Sequence, residues 1–325
     1  MTVLVDAQEY PGLARIITEI VHLWPKHERY LAANMAERDA DLLVHSERLA
    51  QIIIALSDQH DGGLAGLAGD YRFLCEDVTL PEEMFFRRNG RYRLSRFEDA
   101  LAQVYANSAY MTRYMNGLLV SDVIWINHCR CMKHYAEVFL PSARPGARLL
   151  EIGPGHGLLL QLAAENTRIG EIVAWDVSDA SLKLAHHTLE TLRAPRMAHF
   201  EKRNIFDAAI MDPANAQSFD AIVFSEVLEH VEDPLQALKV LFHLCKPGGR
   251  VWINVPANSP APDHLFLINE PKEAADLVEK AGFQVVETQS YPMSGVTLER
   301  AIRQKLTVSC VVVGQRPAAG QVNAG

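Results

Sequence analysis

The sequence predicts an α/β protein: a doubly wound sheet of seven strands, preceded by a mainly helical region that carries one β-hairpin. Three observations predict it. From Arg148 onward, short apolar runs suited to buried strands alternate with helical patterns. Up to about residue 140, apolar residues recur at helical spacing, as in "LARIITEIVHLW" and "ERLAQIIIALS". Between the two textures, "LPSARPGA" brings two prolines and a glycine together, the composition of a boundary.

The strands are expected at 148–152, 171–176, 198–203, 219–224, 250–255, 283–290 and 306–314. Helices fill the intervals, which argues for a parallel sheet covered on both faces. The domain reading is 1–140 helical, 141–315 sheet-forming, and 316–325 ("RPAAGQVNAG") a flexible tail. In the first part, "FFRRNGRYRLSRFEDA" breaks the helical pattern, and Asn89-Gly90 reads as the turn of a hairpin. Helices followed by such a hairpin give a winged-helix layout. A second helical stretch is expected from about Phe97 to Phe139. Within it, "MNGLLVSDVIWINHCRCM" is apolar but holds Asp122, Asn127 and Arg130, so it reads as a buried helix rather than a membrane span.

Composition sets the class. The 325 residues are 49% hydrophobic and 22% charged, ordinary for a globular protein, with a formal net charge of −9. That sign argues against a general nucleic-acid binder. Five cysteines without a C-x-x-C pair fit a reduced cytoplasmic chain rather than a disulfide scaffold or zinc site. The beginning, "MTVLVDAQEYPG", lacks the basic and apolar regions of a signal peptide.

The chemistry starts at "RLLEIGPGHGLLLQLAA". Gly153, Gly155 and Gly157 fall at a strand-to-helix turn, where bare backbone lets a ligand approach and the helix N-terminus offers free N–H groups. A dinucleotide fingerprint needs G-x-G-x-x-G, and position 158 is leucine, so that fingerprint fails. Glu151 beside the turn repels a diphosphate and attracts an ammonium. The next strand ends at Asp176, an acid placed to accept from both hydroxyls of a ribose. The third ends near Asn204, whose amide suits the amino edge of an adenine, with Ile205 packing on the ring.

In order, "EIGPGHG", "DVS", "NIF", "FDAIVFSEVLEHVEDP" and "CKPGGRVWINVP" resemble the motifs of class I S-adenosylmethionine-dependent methyltransferases over roughly 144–314. The resemblance implies a Rossmann-like fold and S-adenosyl-L-methionine as cofactor. Carried over, Glu151, Gly153, Gly155 and Gly157 bind the methionine part, Asp176 with Val177 the ribose, and Asn204 with Ile205 the adenine. Ser225 and Glu226, at the exit of the fourth strand, complete the set. Many relatives have aspartate where this chain has Asn204.

The acceptor is expected over the carboxyl ends of the strands. His264 beside Asp263 is the first candidate for a general base, and His230 the second. Together they lack the H-x-D or H-E-x-x-H spacing of a metal site, so no metal is expected. Tyr110, Tyr114, Trp125, His128 and Tyr135 are the candidate acceptor-binding residues. The helical first part is similar in layout to natural-product methyltransferases, where that domain forms homodimers and roofs the pocket. The expectation is therefore a cytoplasmic enzyme that methylates a small organic molecule, with oxygen the first target, then carbon or nitrogen.

The rival readings are a winged-helix nucleic-acid-binding regulator and a protein or nucleic-acid methyltransferase. Five arginines in "RRNGRYRLSR" suit a DNA-contacting wing. The acids in "CEDVTLPEE" argue instead that they pair locally, and no N-P-P-Y target-base motif is present.

Overall fold

The computed structural model describes residues 4–318, so most of the expected tail lies outside the described residues. The chain divides into two compact units. The first holds residues up to Lys133, joined by Ser259–His264 and Tyr291–Leu306; the second holds His134–Asn258, Leu265–Ser290 and the segment from Thr307. A single cut after residue 140 therefore does not describe it: two later segments return to the helical unit.

The first unit is built from α1 (Pro11–Leu23), α2 (Glu28–Ala36), α3 (Ala40–Ser57), α4 (Gly63–Phe73), α5 (Leu80–Asn89), α6 (Phe97–Ala100), α7 (Ser108–Ile124) and most of α8 (Ile126–His134). The predicted apolar spacing is realised: Leu13, Ile16, Ile17 and Ile20 of α1 are buried, as are Leu42, Leu49 and Ile53 of α3. Asp39 caps α3 by accepting from Leu42 N. Where α7 crosses α4, Gly117 permits the approach, because a Cβ there would lie 2.7 Å from the Asp70 carbonyl oxygen. The stretch read as one buried helix is two. It breaks at Trp125, whose ψ of 119° is extended. The buried guanidinium of Arg38 donates to the Val123 and Ile124 carbonyls at 2.7 and 2.9 Å, taking over acceptors that the helix end leaves open.

The predicted hairpin is not there. Asn89 closes α5, and Gly90 takes the left-handed conformation (φ 66°) that ends a helix, its N–H bonding back to Phe86 O. Glycine at this conformation serves a hairpin turn and a helix C-cap equally. Glu82 and Glu83 in the first turn and Arg87 and Arg88 in the last suit the helix dipole, and decide for the cap. Among the described residues the first unit has no strand before Lys133, so the winged-helix layout goes with the hairpin. The arginines pair locally, as expected: Arg87 with Glu83, Arg93 with Glu82, Arg96 with Glu98.

The second unit opens with α9 (Leu140–Ser142) and carries the sheet: β1 (Ala147–Ile152), β2 (Ile169–Asp176), β3 (His199–Lys202), β4 (Phe219–Ser225), β5 (Cys245–Ala257), β6 (Gln284–Pro292) and β7 (Val308–Gln315). All seven expected strands are present, in the order β3-β2-β1-β4-β5-β7-β6. The sheet is mixed rather than wholly parallel: β7 enters between β5 and β6 and runs antiparallel to β5. Connections α10 (Leu158–Glu165), α11 (Asp179–Thr191), α12 (Pro234–Leu244) and α13 (Pro271–Lys280) alternate with the strands, and α14 (Leu298–Gln304) precedes β7. Strand order grows outward in both directions from the β1–β4 pair. Right-handed crossovers then put successive helices on opposite faces, and a crevice opens at the carboxyl ends of β1 and β4. Among the described residues no helix is long and apolar enough to cross a membrane.

Candidate active site

The glycine turn leaves β1 at that crevice. Gly153, Gly155 and Gly157 have φ of 73°, 52° and 80°, a region L side chains rarely adopt. At Gly153 a Cβ would lie 2.6 Å from Val227 Cγ2, and at Gly157 2.9 Å from Ala185 Cα. The turn is therefore a cradle that only glycine fills. Glu151 lies just upstream, buried, and no donor among the described residues reaches its Oε2. Burial pushes its carboxyl well above the usual carboxylate range. A buried acid without a partner is what a cationic amine would complete, so the residues fit the amino-acid end of S-adenosylmethionine.

Asp176 ends β2, two strands from β4. Its Oδ1 accepts from Ser178 N at 2.8 Å and its Oδ2 from the Ser181 hydroxyl at 2.6 Å, which aims the carboxylate. Burial raises it, and those hydrogen bonds oppose the rise. Ser178, not Asp176, caps α11. Val177 beside it is exposed. Asn204 is exposed, and its Oδ1 accepts from Phe206 N at 3.0 Å; Ile205 is buried. Ser225 and Glu226 close β4. Glu226 takes a left-handed conformation (φ 51°), held by its N–H bond to Asn254 O at 2.8 Å. Asn254 on β5 donates from Nδ2 to Ser225 Oγ at 3.1 Å and to Glu226 Oε1 at 3.0 Å.

In the first unit, Ser259–His264 forms a second polar centre. Asp263 is buried and accepts from Tyr105 Oη at 3.1 Å and Tyr114 Oη at 3.3 Å. His264 is buried too. Its Nδ1 lies 2.6 Å from Ser259 O; a carbonyl only accepts, so Nδ1 carries the hydrogen. The ring stands edge-on to Tyr92, whose hydroxyl oxygen accepts from Ser259 N at 3.2 Å. Tyr110 stacks on Tyr114, and burial pushes its phenol up to about 12, with Asp263 and Glu82 adding to the rise.

The predicted residues thus divide. Tyr110, Tyr114, Asp263 and His264 come together. Trp125 and His128 touch each other, Trp125 donating to Tyr71 Oη at 3.1 Å and His128 lying 3.2 Å from Ser121 Oγ. Tyr135 belongs to the second unit, fully buried against Phe139 and Trp252. His230 also belongs to the second unit, in a short turn, its Nε2 3.9 Å from Glu229 Oε1. Sequence reasoning missed Tyr92, Tyr105 and Asn254. Tyr105 stands in the aromatic run "VYANSAYMTRY", the one signal that marked it.

A glycine cradle beside a buried acid, at the switch point of a sheet in this strand order, defines a class I S-adenosylmethionine-dependent methyltransferase. The family model described as "Methyltransferase domain" matches residues 126–304, more than half of the chain, and the chain belongs to that family. It is 35% identical over 127 residues to the ubiquinone biosynthesis O-methyltransferase of Xanthomonas campestris pv. campestris (strain B100), covering 39% of this chain and 50% of that one. The protein of the same name from Xanthomonas axonopodis pv. citri (strain 306) is 33% identical over 124 residues, covering 38% and 48%. The match spans about half the length of these curated relatives. Among solved structures, the [4+2]-cyclase SpnF aligns at 16% identity with a TM-score of 0.47, over 58% of this chain and 80% of that one. A SAM-dependent methyltransferase from Aquifex aeolicus aligns at 16% with a TM-score of 0.42, over 56% and 92%.

Proposed function

We propose that this methyltransferase acts on a hydroxyl of a small organic molecule, with His264 as general base. The observation that supports the reading is the Nδ1–H of His264 held against Ser259 O, which fixes the tautomer in which Nε2 carries the ring lone pair. Asp263, with its two tyrosine donors, and the Tyr110–Tyr114 stack give the same loop a polar and an aromatic side suited to a flat acceptor. The names of the curated relatives support oxygen as the target.

In this reading Glu151 and the turn Gly153–Gly155–Gly157 hold the methionine part of the cofactor, Asp176 with Val177 the ribose, Asn204 with Ile205 the adenine, and Ser225 with Glu226 the crevice between. When bound, S-adenosylmethionine supplies a methyl group on a positively charged sulfur whose leaving group is a neutral thioether. Glu151 takes the ammonium, and the unsubstituted glycine backbone admits the carboxylate beside the N-terminus of α10. His264 Nε2 accepts the proton of the acceptor hydroxyl as that oxygen becomes the nucleophile. His230 is the alternative base.

The test is transfer of a labelled methyl from S-adenosylmethionine to a panel of phenols, alcohols, amines and thiols, with protein and nucleic acid as further acceptors. The expected product is a methyl ether of a small hydroxylated compound. Labelling confined to protein, nucleic acid or amines would overturn the reading. The same reading carries a homodimer formed through the helical N-terminal region and a cytoplasmic location, which light scattering and cell fractionation test.

A further inference from the structure

Three adjacent strands, β1, β4 and β5, end side by side at one edge of the sheet. Ile152 pairs with Phe224 and Phe224 with Ile253, so the next residues along β1, β4 and β5 are Gly153, Ser225 and Asn254; Ser225 and Asn254 are themselves paired. Side chains alternate along a strand, so Asn254 shares its sheet face with Trp252, two residues back. It stands at the carboxyl edge beside the glycine cradle.

Asn254 is 6% exposed. Its Nδ2 gives both hydrogens away, to Ser225 Oγ and Glu226 Oε1. A carboxylate accepts and does not donate, so this fixes which end of the amide faces Glu226. Oδ1 therefore points the other way, and no donor among the described residues reaches it. Buried side-chain oxygens in native proteins are nearly always partnered, so one held rigidly without a donor marks a place where a ligand supplies it. The left-handed backbone of Glu226 adds a second sign. Such conformations persist only where surrounding bonds hold them and cluster at binding sites, and here the holding bond runs from Glu226 N to Asn254 O.

We infer that Asn254 sets acceptor specificity: its rigid Oδ1 accepts a hydrogen bond from the acceptor's own O–H, so the site takes neutral phenols or alcohols and rejects ethers and ionised carboxylates. This rests on the reading of the chain as a small-molecule O-methyltransferase. An amide oxygen takes no proton at neutral pH, so Asn254 orients the hydroxyl and leaves proton removal to a base. An acceptor with only lone pairs meets oxygen against oxygen and leaves a buried group unpaired, the arrangement by which sites reject analogues lacking a donor.

The experiment uses the full chain saturated with S-adenosylhomocysteine and compares phenol with anisole, which differ by the O–H, by calorimetry and by the side-chain ¹⁵N signal of Asn254. Phenol is expected to bind about 10-fold or more tightly than anisole, and Asn254→Ala to bring the two within about 2-fold. Because Asn254 also bonds Ser225 and Glu226, the variant is compared at S-adenosylhomocysteine concentrations that saturate it as well. Two results would overturn the inference: phenol binds no better than anisole, or the preference survives in Asn254→Ala. Should the variant fail to fold, the unaltered protein decides. A ¹⁵N signal that moves with phenol and not with anisole supports the inference, and one indifferent to both ends it. Equal binding of the two probes by an enzyme that methylates hydroxyls removes Asn254 alone; absence of any hydroxyl methylation removes the wider reading.

Discussion

The Nδ1–H of His264 donates to the carbonyl oxygen of Ser259 at 2.6 Å, and Ser259 N in turn donates to the hydroxyl oxygen of Tyr92. The backbone of one residue thus connects the imidazole to a tyrosine packed against its edge. In the proposed mechanism His264→Ala removes the base and is expected to lower kcat by about 10²–10⁴-fold. Calorimetric affinity for S-adenosylhomocysteine should be unchanged. Retained kcat would pass the role to His230.

Asp263 depends on two phenols. Tyr114→Phe removes one donor from a buried carboxylate and should cost about 1–3 kcal/mol in urea unfolding. Tyr105→Phe should cost less, because its hydroxyl is only part-buried. The double variant should depart from additivity, since the two share one acceptor. Additive losses would mean that Asp263 is not their common partner in solution.

The glycine cradle makes a steric prediction. Gly153→Ala places a methyl 2.6 Å from Val227 Cγ2 and forces a left-handed φ on alanine, a backbone cost of about 1–2 kcal/mol. S-adenosylhomocysteine affinity should fall by about 5- to 30-fold, the factor that a cost of that size corresponds to. Adding Val227→Ala removes the clash but not the backbone cost, so it should restore part of the loss. Full restoration would show that φ at this position does not matter.

Glu151 gives a pH prediction. Burial raises its carboxyl in the folded state, so between the unfolded and folded values the native protein binds a proton that the unfolded chain gives up. That contribution is complete below the unfolded value and is lost as pH rises through the folded one. Glu151→Gln does not titrate there. Without cofactor, its melting temperature relative to the parent should therefore rise from pH 5 to pH 8, while its cofactor affinity falls. Parallel pH curves for the two proteins would contradict a buried, unpaired acid.

The sheet and its glycine turn were legible because their signals are local. Gly153, Gly155 and Gly157 announce a backbone requirement within five positions, and Glu151 and Asp176 stand at or one residue from the ends of β1 and β2. Asn89-Gly90 misled because left-handed glycine fits two structures, and the deciding charges lay at both ends of a helix ten residues long. The surroundings of Asp263 were not legible for another reason. Tyr105 and Tyr114 meet it across 158 and 149 positions of sequence, and Tyr92 reaches Ser259 across 167. No periodicity encodes a pairing at that separation. Asn254 was hidden differently: inside "WINVP" it reads as one polar residue in a buried strand, and only the commitment of its nitrogen reveals the idle oxygen.

The buried acid beneath the glycine turn, its carboxyl raised by burial, also ties the enzyme to its surroundings. In the proposed binding mode the cofactor amine pairs with Glu151 as an anion, so docking would expel a proton to the medium. Uptake of methyl donor then strengthens as a compartment turns alkaline and slackens as it acidifies, until the carboxyl is ionised beforehand. The heat released on docking should accordingly differ between buffers of unlike ionisation enthalpy.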